Sequence, residues 1–147
     1  MKRRDFSKLT IASAFIGLTP LEILSASSNN KDQLKISLAQ WSLNKAIKSG
    51  ELSPLDFAKK ARSFDIDAIE YVSGLYTNHT DILKKISMQK LSKELLKRSD
   101  DYGIDNVLIM IDSQGSLASS NKKERLKAID NHKKWIDFSY EIGCETM

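Results

Sequence analysis

Three short stretches carry one pattern and constrain the fold more than anything else in the chain. They read FDIDAIE from Phe64, YGIDNVL from Tyr102 and IGCETM from Ile142, with starts 38 and 40 residues apart. Each has an apolar residue that ends a helix, then Asp or Gly, one residue of apolar character, Asp or Glu, and an apolar residue opening a strand. A helix-to-strand junction repeated at that period is a βα unit used again and again. By this register Met147 is the first inward residue of a fourth strand, so the chain holds about three and a half units.

The segments between the junctions agree. Residues 34–41, LKISLAQW, read as a buried strand. In SPLDFAKKARSF, Ser53 is a natural N-cap, Pro54 suits the first helical position and Asp56 lies near the positive helix end. Phe57, Ala61 and Phe64 then share one helical face. Residues 67–72 form the second strand. The next helix is expected over 89–102, with Met88, Leu91, Leu95 and Tyr102 on its apolar stripe and Gly103 closing it. NVLIMID, residues 106–112, is almost continuously apolar, as a strand covered on both faces would be. A third helix follows over 122–142, with Leu126, Ile129, Ile136 and Tyr140 on its expected inner face and Trp135 near it.

Strand–helix alternation leaves a (β/α)8 barrel or an open doubly wound sheet. A dinucleotide-binding sheet would carry G-x-G-x-x-G after its first strand. Here that place holds AQWSLNKAIKSG, with no glycine cluster. Units of about 40 residues repeated eight times give the size of a barrel with long loops. The expected fold is therefore α/β: residues 34–147 as the N-terminal part of a (β/α)8 TIM barrel, truncated inside its fourth unit.

Residues 1–27 read differently. Lys2, Arg3 and Arg4 precede an apolar run ending in the small residues SASS, the three-part pattern of an export signal. A membrane anchor needs about 20 apolar residues, and this run is shorter and broken by Pro20 and Glu22. RRDFSK resembles the twin-arginine motif through Arg3, Arg4, Phe6 and Lys8. That resemblance implies recognition by the machinery that exports already folded proteins. No cysteine follows the apolar run, so a soluble bacterial periplasmic product without a permanent membrane anchor is expected. Residues 28–33 are a polar linker. Removing the signal takes four basic side chains with Asp5 and Glu22, lowering the formal net charge from +4 to +2. With no basic stripe interleaved with aromatics, the charge does not point to nucleic acid. The single Cys144 allows no intrachain disulfide and reads as a small buried hydrophobe.

The stretch from LKISLAQWSLNKAIKSG through DAIEYVSGLY resembles the opening of the sugar phosphate isomerase/epimerase group, the xylose isomerase-like barrels. YGIDNVLIMIDSQG and NHKKWID extend the resemblance over 34–147. It implies a barrel of about twice this length that interconverts or epimerises sugars beside a carbonyl. It also implies a divalent metal that polarises the substrate oxygens while carboxylates move the proton. The family's metal ligands lie mostly on later strands, so no metal ligand is carried onto this chain. No metal is expected to bind it, and its catalytic residues would lie beyond Met147. The other readings are a non-catalytic fragment of such a barrel and a metal-dependent endonuclease-like barrel.

In a βα barrel the site lies at the C-terminal strand ends. The substrate-pocket candidates there are Gln40 and Trp41 after the first strand, Glu70 and Tyr71 on the second, and Asp112 after the third. Trp41 either offers an aromatic face to a sugar or packs under its loop. Glu70, inside an apolar strand, calls for a pocket or a buried partner. Asp112 either faces the pocket or caps the turn DSQG. His79 belongs to a polar loop, where solvation is its default. His132 falls on a helical stripe and reads as half-buried.

Overall fold

The computed structural model describes residues 34–147. The signal and linker readings for residues 1–27 and 28–33 lie outside them. Residues 36–147 form one compact unit. Its strands are β1 (Leu38–Ala39), β2 (Ala68–Val72) and β3 (Asp105–Met110), in the order β1-β2-β3 and all parallel. The helices are α1 (Asn44–Ser49), α2 (Phe57–Arg62), the single turns α3 (Gly74–Thr77) and α4 (Ile82–Lys85), α5 (Met88–Tyr102) and α6 (Lys122–Glu141). This is an α/β fold with a small open parallel sheet.

Local chemistry places these elements. A short 3-10 turn, Pro54–Asp56, leads into α2, and the Ser53 hydroxyl accepts from Leu55 N at its start. Ser87 caps α5 by accepting from Lys90 N, and Gly103 ends it in the left-handed conformation at φ 61°. Arg62 joins two junctions: its guanidinium pairs with Asp67 at 2.5 Å and donates to the Tyr102 and Gly103 carbonyls. Asn121 caps α6 by accepting from Lys123 N at 2.9 Å and Glu124 N at 3.4 Å. Asn121→Ala is expected to cost about 1 kcal/mol, read as a lower urea midpoint at unchanged slope.

One sheet face is covered. Ile69, Tyr71 and Ile109 point into the helix layer and pack with Phe57, Leu91, Leu95, the α6 residues Trp135 and Phe138, and Ile142 just after α6. Alternation turns Glu70 and Val72 to the other face. There, Glu70 is in register with Ala39 and Leu108, and Val72 with Met110. Val72 joins Ile47 and Leu75 in a second apolar cluster, which α1 and α3 fold over the strand ends. A bulge lies in β3: Ile69 pairs with Asn106 and Glu70 with Leu108, leaving Val107 as the extra residue. Beside that bulge, Thr146 forms a parallel bridge with Leu108, Thr146 N donating to Val107 O and Ile109 N to Thr146 O.

Four expectations are corrected. The first strand is only two residues long, because β2 offers it just two rungs; Ile36 is 63% exposed and the chain turns into a 3-10 helix at Gln40. β3 is not covered on both faces: Ile109 is buried in the helix-side core, while Val107 and Met110 are exposed. Phe64 leaves the core because α2 ends at Arg62 and the chain reverses at Asp65 (φ 59°); its ring lies under Lys60 Nζ at 4.8 Å. Leu126, Ile129, Ile136 and Tyr140 are all exposed, and α6 instead buries Ala128, Trp135, Phe138 and Ser139. The larger aromatic payload wins the sheet side.

Candidate functional site

The C-terminal strand ends are built by side chains that prolong the ladder after the backbone leaves it. Gln40 is fully buried. Its Oε1 accepts from Val72 N at 3.0 Å, taking the place of the β1 carbonyl that the next rung lacks. Its Nε2 donates to Tyr76 Oη at 2.8 Å and to Pro54 O at 3.4 Å. Across the second seam, Ser73 N donates to Met110 O and the Ser73 hydroxyl accepts from Asp112 N at 2.8 Å.

The second arrangement aims Asp112. A Cβ on Gly74 would lie 3.3 Å from Asp112 Oδ2 and 3.8 Å from the His79 ring carbon Cδ2. The carboxylate and the imidazole therefore converge on the one residue without a side chain. α3 turns the chain so that His79 N donates to Gly74 O, and Thr80 Oγ1 donates to Leu75 O to hold the loop. The Trp41 ring lies beside them, its centroid 6.1 Å from that of His79 with the planes at 55°. Lys48 Nζ sits 4.4 Å from the Trp41 centroid, a cation over a ring face. Trp41 is 41% exposed and His79 is exposed. Beyond Asp112, a shallow pocket of about 340 Å³ is lined by Gln114, Lys127 and Asn131 among others.

The five sequence candidates separate. Trp41 and Asp112 come together at the rim. The turn after Asp112 is held by its carbonyl, which accepts from Gln114 Nε2 at 2.9 Å, so the carboxylate stays turned to Gly74. Gln40 lies beneath the rim as a structural tie. Glu70 is half-buried lower on the open sheet face, where its Oε1 accepts from the Ser37 hydroxyl at 2.5 Å. Tyr71 points the opposite way, into the helix-side core, its ring edge-on to Phe57 at 5.9 Å. Sequence reasoning missed His79 and Lys48. Neither carries a sequence signal, because only the α3 turn and the fold-back of α1 bring them to Trp41.

Electrostatics agrees with this division. Burial pushes the Tyr71 and Tyr76 phenols well above their usual range, so both are neutral, structural hydrogen-bonding groups. Burial likewise pushes the Cys144 thiol up to about 12, which leaves it a thiol at neutral pH. His132, half-buried, bonds through Nδ1 to Ala128 O at 2.7 Å. Among the described residues no three His, Cys, Asp or Glu side chains gather as a metal set. His79 and Asp112 are two donors, fewer than the six or more oxygen ligands that a calcium or magnesium ion takes. No described helix is long and apolar enough to cross a membrane. What the rim offers is a carboxylate, an imidazole, an ammonium and an indole face around a glycine. No protein-family model matches the chain, and no curated protein does.

Proposed function

We propose that this chain is the N-terminal portion of an exported xylose isomerase-like barrel acting on sugars at its C-terminal strand ends. One observation carries the reading: Asp112 and His79 converge on Gly74 beside the partly exposed Trp41 ring. An indole face stacks on the C–H face of a pyranose or an open-chain polyol, and a carboxylate accepts hydrogen bonds from its hydroxyls. In an isomerase or epimerase reaction the Asp112 carboxylate or the His79 imidazole takes the proton from the carbon next to the carbonyl. In an epimerase its return to the other face completes the exchange; in an isomerase it returns to the former carbonyl carbon while the adjacent hydroxyl's proton passes to the former carbonyl oxygen. The divalent cation that the resemblance implies would need ligands besides these two. Export to the periplasm through residues 1–27 belongs to the same proposal, as does a small-molecule sugar partner in place of nucleic acid. The second reading is a non-catalytic, sugar-binding protein.

Isothermal titration calorimetry with aldoses, ketoses and their phosphates tests binding. At least one is expected to bind, with Trp41→Ala weakening it tenfold or more, about 1.4 kcal/mol. Incubation in D2O, with and without added divalent cation, tests chemistry: deuterium should enter beside the carbonyl and vanish in Asp112→Asn or in His79→Gln, whichever residue is the base. Binding without exchange selects the non-catalytic reading. No binding by any sugar sinks both.

A further inference from the structure

The pocket beyond Asp112 is not used by the rim chemistry. One wall is the loop after β3. It starts at Ser113, next to Asp112, and passes two left-handed residues, Ser113 at φ 59° and Gly115 at φ 95°. The other wall is one face of the first half of α6, carrying Glu124, Lys127 and Asn131. Between them the loop lies flat on the helix: a Cβ on Gly115 would be 3.2 Å from Ala128 Cβ. Asn131 pins the two walls together, its Nδ2 donating to Gln114 O at 3.1 Å. The volume of about 340 Å³ is at the lower end of the range for small-ligand sites, which begins at about 300 Å³. That is room for one ring, not for a polymer.

The polar atoms on these walls select the occupant. Gln114 spends its Nε2 on Asp112 O and Asn131 its Nδ2 on Gln114 O, so each amide oxygen is left as an unused acceptor of fixed direction. The Ser113 and Ser116 hydroxyls and the Lys127 ammonium have no hydrogen-bond or ion-pair partner among the described residues. The Glu124 carboxylate accepts from the Ser119 hydroxyl at 2.7 Å and keeps acceptor capacity to spare. The lining charges therefore balance, one ammonium against one carboxylate, and Asp112 beside the pocket adds a second carboxylate. Arg125 is turned away to Ser119 O and Ser120 O. A phosphate would bring acceptors to walls that already hold two amide oxygens and a carboxylate. An apolar group would leave all of these groups unmatched. A sugar hydroxyl donates and accepts at once, so a ring of hydroxyls suits walls that hold both kinds of group. We propose that this pocket holds a second sugar ring, so that the ligand of the strand-end site is a neutral glycoside or disaccharide whose first ring lies at Trp41, His79 and Asp112. The inference rests on the sugar reading of that rim and adds the size and charge of the substrate.

Isothermal titration calorimetry of the full chain with glucose, galactose, cellobiose, maltose, lactose and glucose 6-phosphate tests this. At least one disaccharide is expected to bind about tenfold or more tighter than its component monosaccharides, and tighter than glucose 6-phosphate. Ser116→Trp, on an exposed part of the loop, fills the pocket. It should erase the disaccharide's advantage while circular dichroism and the affinity for monosaccharides stay unchanged, which loss of folding would not do. Monosaccharide binding with no preference for any disaccharide overturns the inference and leaves the sugar reading standing. Binding of no saccharide overturns both. A preference for glucose 6-phosphate that Lys127→Met removes also overturns it, marking the pocket as an anion site. A disaccharide preference that survives Ser116→Trp puts the second ring elsewhere, and the inference falls.

Discussion

Gln40→Leu is expected to lower the free energy of unfolding by about 2–4 kcal/mol, read from urea transitions followed by circular dichroism. The substitution keeps the side chain's bulk and removes only its amide. Gln40 acts as one more residue of β1: its Oε1 closes the rung to Val72 N at 3.0 Å, where the backbone has already turned into a 3-10 helix. Without it, the Val72 N–H is left buried and unpaired beneath Ile47 and Leu75. An orphaned buried donor costs about 1–3 kcal/mol. Tyr76 Oη loses its donor as well, keeping only its own bond to Pro54 O at 3.2 Å. Ser37→Ala is the control, because Ser37 is exposed and its partner Glu70 only half-buried; it should change stability by less than about 0.5 kcal/mol. Equal, small effects from both substitutions would show that the amide is not what joins β1 to β2.

The same residue shows where sequence reading reaches and where it stops. Periodicity and capping located β2, α5 and the junctions, because Ser53, Pro54 and Gly103 act on their own neighbours and need no tertiary partner. The first strand was overread for the opposite reason: an apolar, alternating segment becomes a strand only where another strand supplies rungs, and β2 supplies two. Period-two alternation already separates Glu70 from Tyr71, since adjacent strand residues point to opposite faces. Both could not line one pocket. On α6 the periodicity was real but double. Two apolar stripes fit the sequence, and only the volume of Trp135 and Phe138 against the sheet decides which one goes inside. At the site, Trp41 and Asp112 were legible because strand ends are local. His79 was not, because its approach to Gly74 depends on a single turn of helix whose direction no spacing encodes.

High pH should unfold this protein earlier than its lysines alone would require. Tyr71 and Tyr76 are both buried, with ring centroids 6.4 Å apart. Desolvation is the main force raising each phenol, and the neighbouring phenol adds to it at Tyr71. In the unfolded chain both ionise near pH 10, while in the folded chain both stay protonated well above that. Their contribution to stability is therefore complete below pH 10 and is lost as the pH climbs from there toward the raised folded values. Each phenol held protonated steepens the fall by about 1.4 kcal/mol per pH unit, so the pair approaches about 2.7. Urea midpoints between about pH 8 and 11.5 should be flat at first and then drop. Tyr71→Phe keeps the ring's packing against Phe57 and should remove close to half of the slope above pH 10. Every other side chain is common to both proteins, so the difference between the two curves isolates one phenol. Superimposable curves would mean that Tyr71 opens to solvent before the rest of the core, which would also undo its assignment to that core.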